Sequence, residues 1–256
     1  MFSPEINILI ISAATIAFVH TLMGPDHYLP FVSMGVARKW TVKKMMAVTA
    51  FCGFGHILGS IGLGFVGVAL QMQVGKLEMI ESFRGDLAAW SLIAFGLLYF
   101  AWGVRRAYNN KPHTHWHRHG GDLHSHEHTH KTEHAHVHDQ TEKAEPDSAA
   151  VATEKAAGKI GPWAIFIIFV LGPCEPLIPL LMYPAAKEST IGLVAVTGVF
   201  GAVTMLTMMF AVFVSTVGLK VIGIKARGLP NMERYGHAFA GATIFACGSS
   251  IAFLGL

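Results

Sequence analysis

FVHTLMGPDHYLPFV, running from Phe18 to Val32, decides how the chain is read. It closes an uncharged apolar run, Ile6 to Met23, that is long enough to span a bilayer. Gly24-Pro25 then interrupts the helix, because proline lacks an N–H and fits only a first helical turn. Asp26 and His27 stand where a second half-helix begins. An acid and an imidazole beside a broken membrane helix are costly, and by default such residues mark a function. The second half repeats the device as LGPCEPLIPLL, Leu171 to Leu181, with Gly172-Pro173 ahead of Cys174-Glu175 and Pro179 answering Pro30.

Working outward, the rest of the chain has the same character. Of 256 residues, 52% are hydrophobic and only 14% charged, with a mean hydropathy of +0.47. Apolar runs occupy Ile6–Met23, Met45–Leu70, Leu87–Val104, Ile160–Ala186, Ile191–Leu219 and Tyr235–Leu256, so the sequence predicts an all-α polytopic membrane protein with six transmembrane helices. No Lys or Arg precedes Arg38, which argues against a cleaved signal. The loops after spans one, three and five carry sixteen Lys/Arg, whereas the opposite side has Lys76, Arg84 and Lys187. The positive-inside rule then places both termini outside and the long central loop in the cytoplasm, and the expected setting is a bacterial inner membrane. The +3 formal charge is a topology signal and calls for no nucleic-acid partner. Cys52, Cys174 and Cys247 all fall within spans and form no disulfide framework.

The chain divides into a first three-span repeat (1–106), a histidine-rich loop (107–159) and a second three-span repeat (160–256). Span two carries GFGHILGSIGLGFVG, in which the glycines suit close helix packing and His56 lies midway, a candidate ligand. The loop holds eleven histidines between His113 and His138, and an Ala/Glu/Lys-rich stretch follows; the segment is expected to be disordered and to buffer metal weakly. The methionines of span five read as packing. His237 reads equally well as a ligand or an interfacial residue.

The halves align with each other. Gly24-Pro25-Asp26-His27 matches Gly172-Pro173-Cys174-Glu175, Phe54-Gly55 matches Phe200-Gly201, and Tyr99 to Gly103 matches Ile244 to Gly248, all at nearly one offset. An odd number of spans per half makes the repeats inverted, with broken first helices, and the site of such proteins lies at the repeat interface. His20, Asp26, His27, His56, Cys174 and Glu175 are the candidate metal residues there. Imidazole, carboxylate and thiolate together suit divalent first-row metals rather than magnesium or calcium.

The segment from His20 to Leu29 resembles the His-x(5)-Asp-His motif of hydrogenase/urease accessory nickel permeases and the related motif of nickel/cobalt transporters. GFGHILGS is similar to the Gly-His-Ser motif of nickel/cobalt permeases, with Ile57 at the serine position. The three-plus-three layout with a histidine loop resembles nickel/cobalt efflux proteins. The resemblance implies Ni²⁺ or Co²⁺ transport, with His20, Asp26, His27 and His56 as metal residues. LGPCEPLIPLL is similar instead to the Pro-Cys motif of cytochrome-biogenesis thiol–disulfide reductases, but Asp26 opposite Cys174 leaves that dyad incomplete. A sulfite-type anion exporter, using the two opposed helix starts, is disfavoured by the acid at each.

The expectation is a secondary transporter of a divalent transition metal, nickel or cobalt first and zinc or copper next, in either direction. No phosphate-binding Gly-Lys-Ser/Thr loop is present, so neither an enzymatic nucleotide hydrolysis nor a resident cofactor is expected. The partners are the lipid bilayer and transition-metal ions; whether the chain forms a homo-oligomer is left open.

Overall fold

A computed structural model describes residues 4–109, 113–119, 122–128, 162–172, 174, 176–186, 190–225 and 230–255. In order they form α1 (Pro4–Met23), a 3-10 turn (Pro25–His27), α2 (Leu29–Ala37), α3 (Val42–Ala69), α4 (Val74–Asn109), β1 (His113–His119), β2 (Asp122–His128), α5 (Pro162–Leu171), α6 (Leu177–Ala186), α7 (Thr190–Lys225) and α8 (Pro230–Leu254). The body is helical throughout. The strands β1 and β2 make one antiparallel hairpin in which His113 is opposite His128 and His115 opposite His126. Residues 107–109 of the expected disordered loop are the end of α4, and apart from these and the hairpin the expectation of disorder from 107 to 159 falls on residues outside those described.

Among the described residues, five helices are long and apolar enough to cross a membrane: Pro4–Met23, Val42–Ala69, Val74–Tyr108, Thr190–Leu219 and Arg234–Leu254. The fourth apolar run of the sequence forms, among the described residues, two ten-residue pieces, α5 and α6, each too short to cross by itself. Large apolar side chains such as Leu98, Leu206, Phe210, Phe239 and Phe253 point outward, as they do on a multi-pass membrane protein whose solvent is lipid.

The breaks follow from their sequence. At the first, the N–H of Gly24 donates to the carbonyl of His20 (2.9 Å), and Gly24 then leaves helical geometry at φ −82°, ψ 97°. Pro25 starts the tighter turn, closed by His27 N–H to Gly24 O (3.1 Å). Tyr28 is the N-cap of α2, with Pro30 in its first turn. α2 and α3 both end in a Schellman arrangement. Lys39 and Gln71 take left-handed backbone (φ 53° and 52°), and the N–H groups of Trp40 and Met72 reach back to Gly35 O and Gly67 O at 2.8 and 2.9 Å.

α4 packs along α8, α1 along α7, and α3 along α7. The α4–α8 seam is held by glycines whose missing side chains let backbone meet backbone. A Cβ on Gly96 would strike the backbone of Phe245, and one on Gly241 would strike that of Phe100. Likewise Gly103 lies against Ala238 and Gly248 against Ile93. The order falls along α8 as it rises along α4, so the two helices run antiparallel. One constant shift carries Ile93, Gly96, Phe100 and Gly103 onto Ala238, Gly241, Phe245 and Gly248. Each contact is therefore matched by its own mirror.

Candidate functional site

The break after α1 carries His20, Asp26 and His27 to one place, and α3 brings His56 to meet them. Gly24 and Pro25 turn the chain so that His27 falls back beneath the last turn of α1. There the His20 and His27 rings lie edge to face with centroids 5.0 Å apart. The His56 ring stands on the other side of His27, again edge to face, at 5.5 Å. Phe169, near the end of α5, packs on both His27 and His56.

The hydrogen bonds define what each ring presents. His56 Nδ1 is 3.0 Å from the carbonyl oxygen of Phe169, which can only accept, so Nδ1 carries the proton and donates. His27 Nδ1 is 3.2 Å from both the Gly24 carbonyl and the Asp26 carboxylate, again acceptors. In the neutral ring both Nε2 atoms are then bare lone pairs. His27 and His56 are each only 3% exposed, and the Nε2 atoms of His20, His27 and His56 are buried without a hydrogen-bond partner. Buried polar atoms are satisfied as a rule, so three bare ones facing one cavity leave room there for a hydrogen-bonding or coordinating partner, water or an ion. A ring tied through Nδ1 to a carbonyl or carboxylate is also how proteins orient an imidazole toward a metal.

These four residues share a cavity of about 250 Å³. Its wall runs from His56, midway along α3, past Gly85 and Leu92 of α4 to Ile251 and Gly255 at the end of α8. Beyond the histidines, Phe31, Met34, Met45, Phe169 and Met208 fill the bundle as one apolar core. Gly24 leaves room for the His27 ring: a Cβ there would come within 2.5 Å of His27 Nδ1 and 2.9 Å of Asp26 Oδ1, so both side chains would have to shift. Among the described residues no group of three or more His, Cys, Asp and Glu side chains is gathered tightly enough to hold a metal ion as the rings stand.

Cys174 sits in a neighbouring apolar cluster. It is buried among Ala13, Ala17, Leu177, Leu181 and Phe200 and is not among the residues that line the cavity. Glu175 lies outside the described residues. His237 is not at the site either; its Nδ1 bonds the Tyr99 hydroxyl at 2.8 Å, beside Trp102.

Two residues that sequence reasoning used only for topology, or not at all, flank the cavity. Arg84 Nη1 donates to Glu81 Oε1 at 2.6 Å, and its Nη2 donates to the carbonyls of Val170 (3.0 Å) and Gly172 (3.4 Å). The readable signal was the Glu81–Arg84 spacing, one helical turn, directly ahead of an apolar run. Comparison of the chain with family models, with curated proteins and with solved structures finds no match in any of the three.

Proposed function

We propose that the protein is a multi-pass membrane transporter of divalent transition-metal ions, nickel or cobalt first and zinc or copper next, and that the ion passes through the cavity ringed by His20, Asp26, His27 and His56. The observation that carries this reading is the set of three buried Nε2 atoms with no partner around that cavity. Imidazole with one carboxylate is a donor set for first-row divalent ions, and the neutral Nε2 lone pair is the ligating form. Loosely gathered donors suit cargo. An ion in transit must be bound well enough to enter and weakly enough to leave, so rings that tighten on entry and relax on release serve better than a finished cage. Cys174 is assigned no contact with the ion in the present arrangement.

In this reading α5 and α6 together make the fourth of six crossings, and residues 1–106 and 160–256 are inverted repeats. The mirrored glycine contacts between α4 and α8 support that symmetry, as do the two Gly-Pro breaks. The basic loops put both termini outside a bacterial inner membrane, so the cavity, which reaches the C-terminal end of α8, faces outward. In this orientation the core of Phe31, Met34 and Met45 closes the cytoplasmic side of the cavity. Transport is secondary, driven by protons or membrane potential.

The test is ion flux in proteoliposomes and cellular nickel, cobalt, zinc and copper content with and without the protein. Flux of at least one of these ions, abolished by His27→Ala at unchanged membrane level, is expected. Absence of flux for all four in correctly inserted protein would end the proposal.

A further inference from the structure

We infer that Arg84, held by Glu81, is a positioning residue of the cavity: it fixes the end of α5 so that the Phe169 carbonyl selects the tautomer of His56 and turns its Nε2 toward the ion. This rests on the transport reading for its purpose, though not for its geometry.

α5 has only ten residues and stops inside the bundle, where its last carbonyls have no helical partner. In a membrane interior such groups must be satisfied by protein. Phe169 O is met by the N–H of Gly172 (3.1 Å) and by His56 Nδ1 (3.0 Å). Val170 O and Gly172 O are met by Arg84 Nη2. The guanidinium thus spans the same turn whose first carbonyl orients His56. Its other arm is anchored by Glu81, which is fully buried on α4. A planar fork can hold a carboxylate and two carbonyls at once; an ammonium has the charge but lacks the fixed geometry. A buried ion pair is weak evidence for stability in itself. Its position explains it: Gly85 and Gly172, adjoining the clamp on both sides, line the cavity with His56.

The chain of consequence is short. With Arg84 replaced, the 170–172 turn loses its donor, Phe169 O is free to move from His56, and the His56 proton is no longer confined to Nδ1. The experiment uses full-length protein labelled with ¹⁵N-histidine in nanodiscs, with the His56 resonances assigned by difference against His56→Gln. Wild type should show His56 protonated at Nδ1 and bare at Nε2. Arg84→Gln should show a mixture of tautomers and a Ni²⁺ dissociation constant raised about 10- to 100-fold, the range for partners that orient a ligating histidine. Glu81→Gln, which leaves the guanidinium but frees it, should move both readouts the same way by less. If Arg84→Gln does not accumulate, Arg84→Lys, which keeps the charge and loses the fork, is measured in its place with the same expectation. A wild-type His56 pattern in folded Arg84 variants would overturn the inference. Wild-type protein that takes up no Ni²⁺, Co²⁺, Zn²⁺ or Cu²⁺ would overturn the transport reading instead, while the tautomer pattern would still decide the role of Arg84.

Discussion

Replacing His56 with leucine should stabilise the protein or leave its stability unchanged, and abolish transport. The side chain makes one hydrogen bond, Nδ1 to Phe169 O at 3.0 Å, and leaves Nε2 buried with no partner. Losing a neutral hydrogen bond is worth about 1 kcal/mol, whereas leaving a polar atom buried and unsatisfied costs about 1–3 kcal/mol. Phe169 O is not orphaned by the change, because Gly172 N–H still donates to it at 3.1 Å. The balance is then about 0–2 kcal/mol in favour of His56→Leu, with leucine close enough in size to fill the site. Added ion should reverse the order: at 100 times its dissociation constant, a ligand bound only to the folded state contributes about 2.7 kcal/mol, and the variant should lose most of this. The assay is unfolding in nanodiscs, once with a chelator and once with Ni²⁺, beside vesicle flux. A His56→Leu protein that is less stable without metal and still transports would show His56 to be an ordinary packed residue and refute the reasoning.

Gly24→Ala should insert normally and lose flux about tenfold or more, since its Cβ would come within 2.5 Å of His27 Nδ1 and must displace a metal-orienting bond; vesicle flux at matched protein level checks this. Removal of His113 to His138 should weaken ion capture at low concentration while leaving flux at high concentration, measured as a raised half-saturation with an unchanged maximum. Gly96→Val should reduce folded protein in the membrane, because its side chain meets Phe245 backbone rather than a side chain that can swing away, and Gly241→Val should do the same through Phe100; size-exclusion profiles of purified protein read both. Cys174→Ala should leave ion preference unchanged and cost about 1 kcal/mol or less in stability, since it removes one sulfur from an apolar cluster; flux ratios among the four metals decide whether the thiol touches the ion.

The first break could be read from Gly24-Pro25 alone because proline's effect on a helix is local: no tertiary contact restores the missing N–H. The grouping of His20, Asp26, His27 and His56 could be anticipated by chemistry, since each is expensive in an apolar span unless used. Cys174 was a harder case. Thiols bury readily as small apolar groups, so the residue type does not say whether it faces a cavity or a core, and only the turn after α5 decides. Arg84 and Glu81 were hidden for the opposite reason. Charges near the end of an apolar run usually face water, and nothing in the sequence says that α5 will stop short and leave its carbonyls within reach. Backbone carbonyls carry no sequence signature at all, so Phe169 O as the partner of His56 could not be foreseen.

That asymmetry bears on how the two proposed repeats differ. Both halves carry a Gly-Pro break, and the α4–α8 contacts remain mirrored across the seam. Had both breaks kept imidazole and carboxylate, two clusters would face each other across the bundle, each with bare nitrogens to satisfy. Here the first break supplies the His27 ring and Asp26, while α5, ahead of the second, supplies a carbonyl that orients His56 and two more that Arg84 holds. The four ligands come from one half, and the carbonyl that orients His56 comes from the other. An ion bound to such a site is sensitive to any displacement of α5 relative to α3: moving Phe169 O from His56 Nδ1 releases the tautomer without moving a ligand's backbone. In the proposed transporter, relative motion of the two halves, as alternating access would demand, would weaken the ion's grip at the moment the route opens.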